Sequence, residues 1–123
     1  MLPVASRLTQ SSRFAAVYAK RRSYATDLVV VYVCPQAGSN KRPANSLPTR
    51  VGFSVSKRVG KSVVRNRVKR LLREAVRSVL PDLAPGYDIV VVARPRIAGA
   101  EFSRVRTAVT RALARSGVLG HRD

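Results

Sequence analysis

Nine Lys and Arg residues and a single acid, Glu74, fall between Lys57 and Arg77. Phosphate is the natural counterpart of such crowding, the more so because arginine predominates and its planar fork of donors suits phosphate and base edges. Groups that could do bond-breaking chemistry are absent. The one histidine, His121, is third from the C-terminal end, and the six carboxylates show no paired spacing suited to acid/base or two-metal work. There is no phosphate-cradling glycine loop and no zinc spacing. The sequence therefore predicts no catalytic residue and no metal ligand in this chain, and points to binding.

A helix must position these cations. From Ser62 to Leu80 the apolar residues Val64, Val68, Leu71, Leu72, Ala75, Val76 and Val79 recur at three- and four-residue steps, and Pro81 stops the run. With Val68 at zero, the apolar set spans roughly −60° to +80°, whereas Asn66, Arg70, Arg73 and Arg77 cluster at roughly 140° to 200°. Arg65 and Lys69 lie at one margin of the apolar stripe and Arg67 at the other, where helix meets sheet. An ordinary solvated face interleaves acids with bases at four-residue spacing, and this one does not. A helix-turn-helix reader of DNA would need a short helix before Ser62, yet Arg50 to Ser56 (RVGFSVS) alternates as a half-buried strand does.

The whole chain supports the same conclusion. It has 123 residues, enough for a single domain over 1–123, and 24 Lys and Arg against 6 Asp and Glu give a net charge of +18. No segment approaches the roughly 20 apolar residues of a membrane span. The single cysteine, Cys34, excludes an internal disulfide and reads as a small buried hydrophobe in a reducing compartment, so the cytoplasm is expected.

Ser11 or Ser12 can cap a short helix carrying Phe14, Val17 and Tyr18 and ending near Lys20. Arg22 to Ala25 is a short candidate strand, and Asp27 to Cys34 (DLVVVYVC) and Tyr87 to Ala93 (YDIVVVA) are longer ones. Residues 35–49 collect turn formers and are expected to be an exposed, mobile loop. Glu101 to Ser116 carries Phe102, Val105, Val109 and Leu113 at helical spacing, with Gly117 as a stop. Residues 1–6 and 118–123 are expected to be loose tails. The expected fold class is α/β, a compact two-layer sandwich of a mixed four-stranded sheet packed with about three helices. Phe14, Tyr18 and Tyr32 are either plain core, the commoner fate of such a trio, or a stacking surface for unpaired bases.

The stretch RVGFSVSKRVGKSVVRNRVKRLLREAVR, Arg50 to Arg77, resembles the signature of the protein subunit of bacterial ribonuclease P, through Arg65-Asn66-Arg67, Lys69-Arg70 and Arg73-Glu74. The Arg7-Leu8 pair, Phe14, Tyr18, DLVVVYV and YDIVVVARP agree with it. The resemblance implies a left-handed β-α-β crossover, an exception to the usual hand. It also implies a role as partner of a catalytic RNA whose bound Mg2+ ions cleave precursor tRNA at the mature 5′ end. Carried over, Phe14, Tyr18, Val30, Tyr32, Arg65, Asn66 and Lys69 would line the cleft for the single-stranded 5′ leader of the precursor. Lys57, Arg58, Lys61, Arg67, Arg70 and Arg73 would face the phosphates of the catalytic RNA. The loop over 35–48 looks long for the family. Two other readings use the same basic helix: a structural ribosomal-type RNA-binding protein, which needs no leader cleft, and a DNA-binding module, which the resemblance disfavours.

Overall fold

The computed structural model describes residues 22–36 and 48–119. The expected N-terminal helix with Phe14 and Tyr18, most of the long loop (37–47) and residues 120–123 lie outside the described residues. Within them the order is β1 (Arg22–Ala25), β2 (Val29–Pro35), β3 (Arg50–Ser54), α1 (Ser62–Val79), β4 (Tyr87–Ala93) and α2 (Phe102–Arg115), with 3₁₀ turns at Leu80–Asp82 and Pro95–Ile97. The strands form one mixed sheet in the order β1-β2-β4-β3. β2 pairs antiparallel with β1 and β4, while β3 runs parallel to β4. A parallel pair cannot be joined by a tight turn, and here α1 makes the crossover.

The β-branched runs build this sheet because successive side chains point to opposite faces. On β2, Val29, Val31 and Val33 are fully buried in the main core with Ile89 and Val91 of β4 and Val51 of β3. Both helices close this inner face, α1 through Val68, Leu72, Ala75 and Val76, and α2 through Val105, Ala108, Val109, Ala112 and Leu113. Alternate residues form a smaller cluster on the outer face, where Cys34 and Val90 are buried against Tyr32 and Val92. Cys34 is thus the buried hydrophobe that the sequence predicts, 8% exposed.

Three boundaries differ from expectation. Asp27 and Leu28 are not in the strand, because Thr26 organises a turn there: its Oγ1 accepts from the Val29 amide at 3.2 Å, and its own amide donates to the Val29 carbonyl at 2.8 Å. The loop expected over 35–49 is anchored at both ends. Pro35 still pairs within β2, opposite Tyr87, and Thr49 is buried, its hydroxyl donating to the Ala84 carbonyl and accepting from the Tyr87 amide. The tail expected from Val118 is docked at its start: Val118 is 1% exposed and Leu119 bridges Leu83, since two aliphatic residues following Gly117 reach the open end of the core.

The anchoring of the loop depends on a polar network at one end of the sheet. Arg50 grips Asp88 with two parallel hydrogen bonds, Nε to Oδ1 at 2.9 Å and Nη2 to Oδ2 at 2.8 Å, across the β3–β4 pair. The two hydrogens of the Gln36 Nε2 are shared among three acceptors, Asp88 Oδ1 at 3.0 Å and the carbonyls of Pro48 and Tyr87, both at 2.9 Å, so the residues flanking 37–47 are drawn together. Such a paired, charge-assisted fork is stronger than a neutral bond. Asp88→Ala leaves Arg50 without its partner in a mostly buried setting and is expected to cost about 2 to 3 kcal/mol in urea unfolding. A loss under about 0.5 kcal/mol, the range of ordinary surface changes, would show that the network does not hold the sheet end.

Candidate nucleic-acid interface

The cationic surface begins at the turn between β3 and α1. Val55 and Val59 are buried on either side of it, and the Val59 amide closes the turn on the Ser56 carbonyl at 3.1 Å, which leaves Lys57 and Arg58 exposed. At Gly60 a Cβ would stand 3.1 Å from the Cβ of Val64, a contact tight enough that the Val64 side chain would have to give way. Lys61 caps α1 without a side-chain bond, and the first turn holds no acid. The partial positive charge of the helix N-terminus therefore adds to Lys57, Arg58 and Lys61 instead of being offset.

Along α1 the burial follows the helical wheel. Val68, Leu72, Ala75, Val76 and Val79 are buried, and Asn66, Arg70, Arg73 and Arg77 are exposed. Arg65, Arg67 and Lys69 are half-buried, as their place at the margins of the stripe requires. Their roles at those margins differ. Arg67 Nη2 donates to the Ala100 carbonyl at 3.1 Å and so ties α1 to the segment leading into α2. Among the described residues Arg65 Nε is shielded from solvent and has no hydrogen-bond partner. Glu74 pairs, among the described residues, only with Arg77, at 3.5 Å with both side chains more than half exposed, and so leaves Arg70 and Arg73 unneutralised.

Val63 was missed by the sequence reading. It is 79% exposed on the cationic side of α1, and its wheel angle of roughly 220°, beside Arg70, was the available signal.

Val30 and Tyr32 belong to the other side of the sheet. They are half-buried on the outer face of β2, opposite Val92 and Val90 of β4, and the ladder continues to Ser54 and Gly52 of β3. The row Val30–Val92–Ser54 thus ends where β3 leaves the sheet for the basic turn and α1. The described residues fall into two groups, the outer-face pair Val30 and Tyr32 and the helix group Arg65, Asn66 and Lys69, with the basic turn after β3 between them in sequence. Phe14 and Tyr18 are outside the described residues. No three His, Cys, Asp or Glu side chains come together among the described residues.

These differences separate cations that hold the fold from cations that only face outward. Arg67→Ala is expected to lower stability by about 1 kcal/mol, the value of one hydrogen bond, whereas Arg70→Ala stays within about 0.5 kcal/mol of the parent. Equal losses in chemical denaturation would contradict the assignment of Arg67 to the helix–helix contact.

Comparison with known proteins agrees with this geometry. The family model described as Ribonuclease P matches residues 2–117. The ribonuclease P protein component of Symbiobacterium thermophilum is 43% identical over 115 residues, covering 94% of each chain. That of Clostridium perfringens is 41% identical over 111 residues, 90% of this chain and 88% of the relative. Among solved structures, the RNase P protein of Staphylococcus aureus superposes with a TM-score of 0.79 at 28% identity, covering 94% of this chain and 99% of that one. The RNase P protein of Thermotoga maritima gives 0.74 at 26% identity, covering 89% and 96%. A match over nearly the full length, in sequence and in fold, disfavours the ribosomal-type and DNA-binding readings, and the chain belongs to the ribonuclease P protein family.

Proposed function

We propose that this chain serves ribonuclease P as a non-catalytic subunit that docks on the catalytic RNA through α1 and holds the single-stranded 5′ leader of precursor tRNA beside the outer face of the sheet. The observation that carries the reading is the two-sided α1, buried on one side through Val68, Leu72, Ala75, Val76 and Val79 and lined on the other with Arg70, Arg73 and Arg77 against the single acid Glu74. Lys57, Arg58, Lys61, Arg67, Arg70 and Arg73 neutralise phosphates of the RNA subunit. Phosphate contacts position a protein on RNA without reading sequence, so this group sets register and stabilises the folded RNA.

Leader binding falls to Tyr32 and Val30 on the sheet, with Arg65, Asn66 and Lys69 at the helix margin and Phe14 and Tyr18 from the N-terminal segment. Tyr32 offers a ring for an unpaired base. Asn66 is the one side chain of the set with both an amide donor and a carbonyl acceptor, so it can address a base edge.

Bond cleavage belongs to the RNA and its Mg2+ ions. The cytoplasm, where precursor tRNA is processed in bacteria, is the compartment this role implies. No described helix is long and apolar enough to cross a membrane.

The decisive experiment is cleavage of a precursor tRNA at low magnesium by a bacterial ribonuclease P RNA, with and without the folded chain. Stimulation with the correct 5′ end is expected, and none at all would refute the subunit role. Within the complex, Arg70→Ala is expected to reduce the slope of log affinity against log salt for the RNA subunit by about 0.7 to 0.9. Tyr32→Ala is expected to weaken precursor binding by roughly 1 to 3 kcal/mol with mature tRNA unaffected. If mature tRNA binding falls equally, Tyr32 is core and not a leader contact.

A further inference from the structure

A second set of arginines stands apart from α1. The α2 helix carries Arg104, Arg106, Arg111 and Arg115 and no acid within its length. Arg104, Arg111 and Arg115 fall within roughly 40° of one another on its wheel, a stripe about 16 Å long along the axis. The stripe faces the β1–β2 turn across an open groove of about 570 Å³, lined also by Thr26, Ser103 and Thr107. No α1 residue lines this groove; Val79 of α1 lines a neighbouring hollow with Phe102 and Arg106, and Ser103, Thr107 and Arg111 border both.

The guanidinium groups are held over the groove. Arg115 Nη1 donates to the Ala25 carbonyl at 3.2 Å, and Arg104 Nη2 lies 3.4 Å from Asp27 Oδ2 with both side chains more than half exposed. Arg94 Nη1 adds a fourth cation at the same turn by donating to the Thr26 carbonyl at 2.8 Å. Arg111, between Arg104 and Arg115 along the helix, makes no hydrogen bond or ion pair among the described residues. Asp27 is the only acid along the groove among the described residues, and an exposed pair at 3.4 Å is weak enough for a phosphate to compete with it.

Local structure does not require this arrangement. Arg104 sits in the first turn of α2 and Arg106 just after it, where the helix dipole disfavours cations, and the one acid at that end is Glu101 at the N-cap. Arg111 and Arg115 repel at four-residue spacing. A bound polyanion would reverse both effects. Several phosphates of one duplex strand, about 3.4 Å apart along the axis, fit within the stripe, and the Ser103 and Thr107 hydroxyls lie along it.

We propose that this flank of α2 is a second phosphodiester-binding surface, which takes a backbone segment of the ribonuclease P RNA distinct from the one bound along α1. The identity of the RNA rests on the function proposed above. The surface itself rests on the arginine stripe and its groove. With two cationic flanks, the chain bridges two RNA strands and restrains their separation.

The test uses the full chain and ribonuclease P RNA without substrate, comparing the parent with Arg104→Gln/Arg111→Gln and with Arg70→Ala by salt-dependent binding and hydroxyl-radical footprinting of the RNA backbone. Arg111 has no bond to lose and the Arg104 pair is exposed, so the melting temperature should be unchanged. The double variant is expected to lower the salt slope by roughly 1.4 to 1.8 and to lose protection in one backbone segment, while Arg70→Ala loses a different one. An unchanged slope and footprint in the double variant overturns the proposal. So does loss of the same segment in both variants, which would mean one continuous surface. Silence of Arg70→Ala alone would instead overturn the α1 assignment and leave α2 as an RNA surface.

Discussion

The structure depends on the apolar stripe of α1 being strong enough to hold a helix whose opposite face repels itself. Like charges four residues apart, as at Arg65 and Lys69, Lys69 and Arg73, or Arg73 and Arg77, each cost a few tenths of a kcal/mol. Each Val or Leu buried from that helix contributes about 1.5 to 3 kcal/mol, and Val68, Leu72 and Val76 are fully buried. Burial wins by a wide margin, so the cations can stay unneutralised until a polyanion arrives. The charge is therefore available for binding because hydrophobic packing, and not ion pairing, secures the helix.

The sheet beneath it is organised around β4. This strand has neighbours on both sides, antiparallel β2 and parallel β3, and Ile89, Val90 and Val91 are fully buried. Alternation along β4 and β2 sends one set of side chains to the helices and the other to the face bearing Tyr32, so a single pair of strands supports both the core and the outer surface. The Arg50–Asp88 fork fixes the register of β3 on β4. Through Gln36 it also fixes the distance between the ends of the 37–47 segment.

Arginine has several distinct roles in this chain. Arg50 is spent on a carboxylate, Arg67 on a backbone carbonyl between helices, and Arg94 and Arg115 on carbonyls of the β1–β2 turn. Arg70 and Arg73 remain turned outward on α1, and Arg111 on α2. A net charge of +18 is thus not a uniform coat. It is divided between cations that also close the fold, as Arg67 and Arg115 do, and cations that only face outward, as Arg70 and Arg73 do.

Much of this was legible in the residues themselves, because the determining forces are local. Periodicities of 3.6 and 2 follow from backbone geometry, so α1, α2, β2 and β4 could be read from the spacing of Val, Leu and Ile, and the marginal burial of Arg65, Arg67 and Lys69 from the wheel. The motif around Arg65-Asn66-Arg67 carried the family. Long-range pairings could not be read in this way. The contact between Arg67 and Ala100, the fork from Arg50 to Asp88, the docking of Val118 and Leu119 at Leu83, and the burial of Thr49 all join residues more than thirty positions apart. Composition at either end does not specify such partners. The same holds for the groove between α2 and the β1–β2 turn: the sequence determined that Arg104, Arg111 and Arg115 share a helical face, and only the packing of that helix over β1 and β2 decided what the face looks onto.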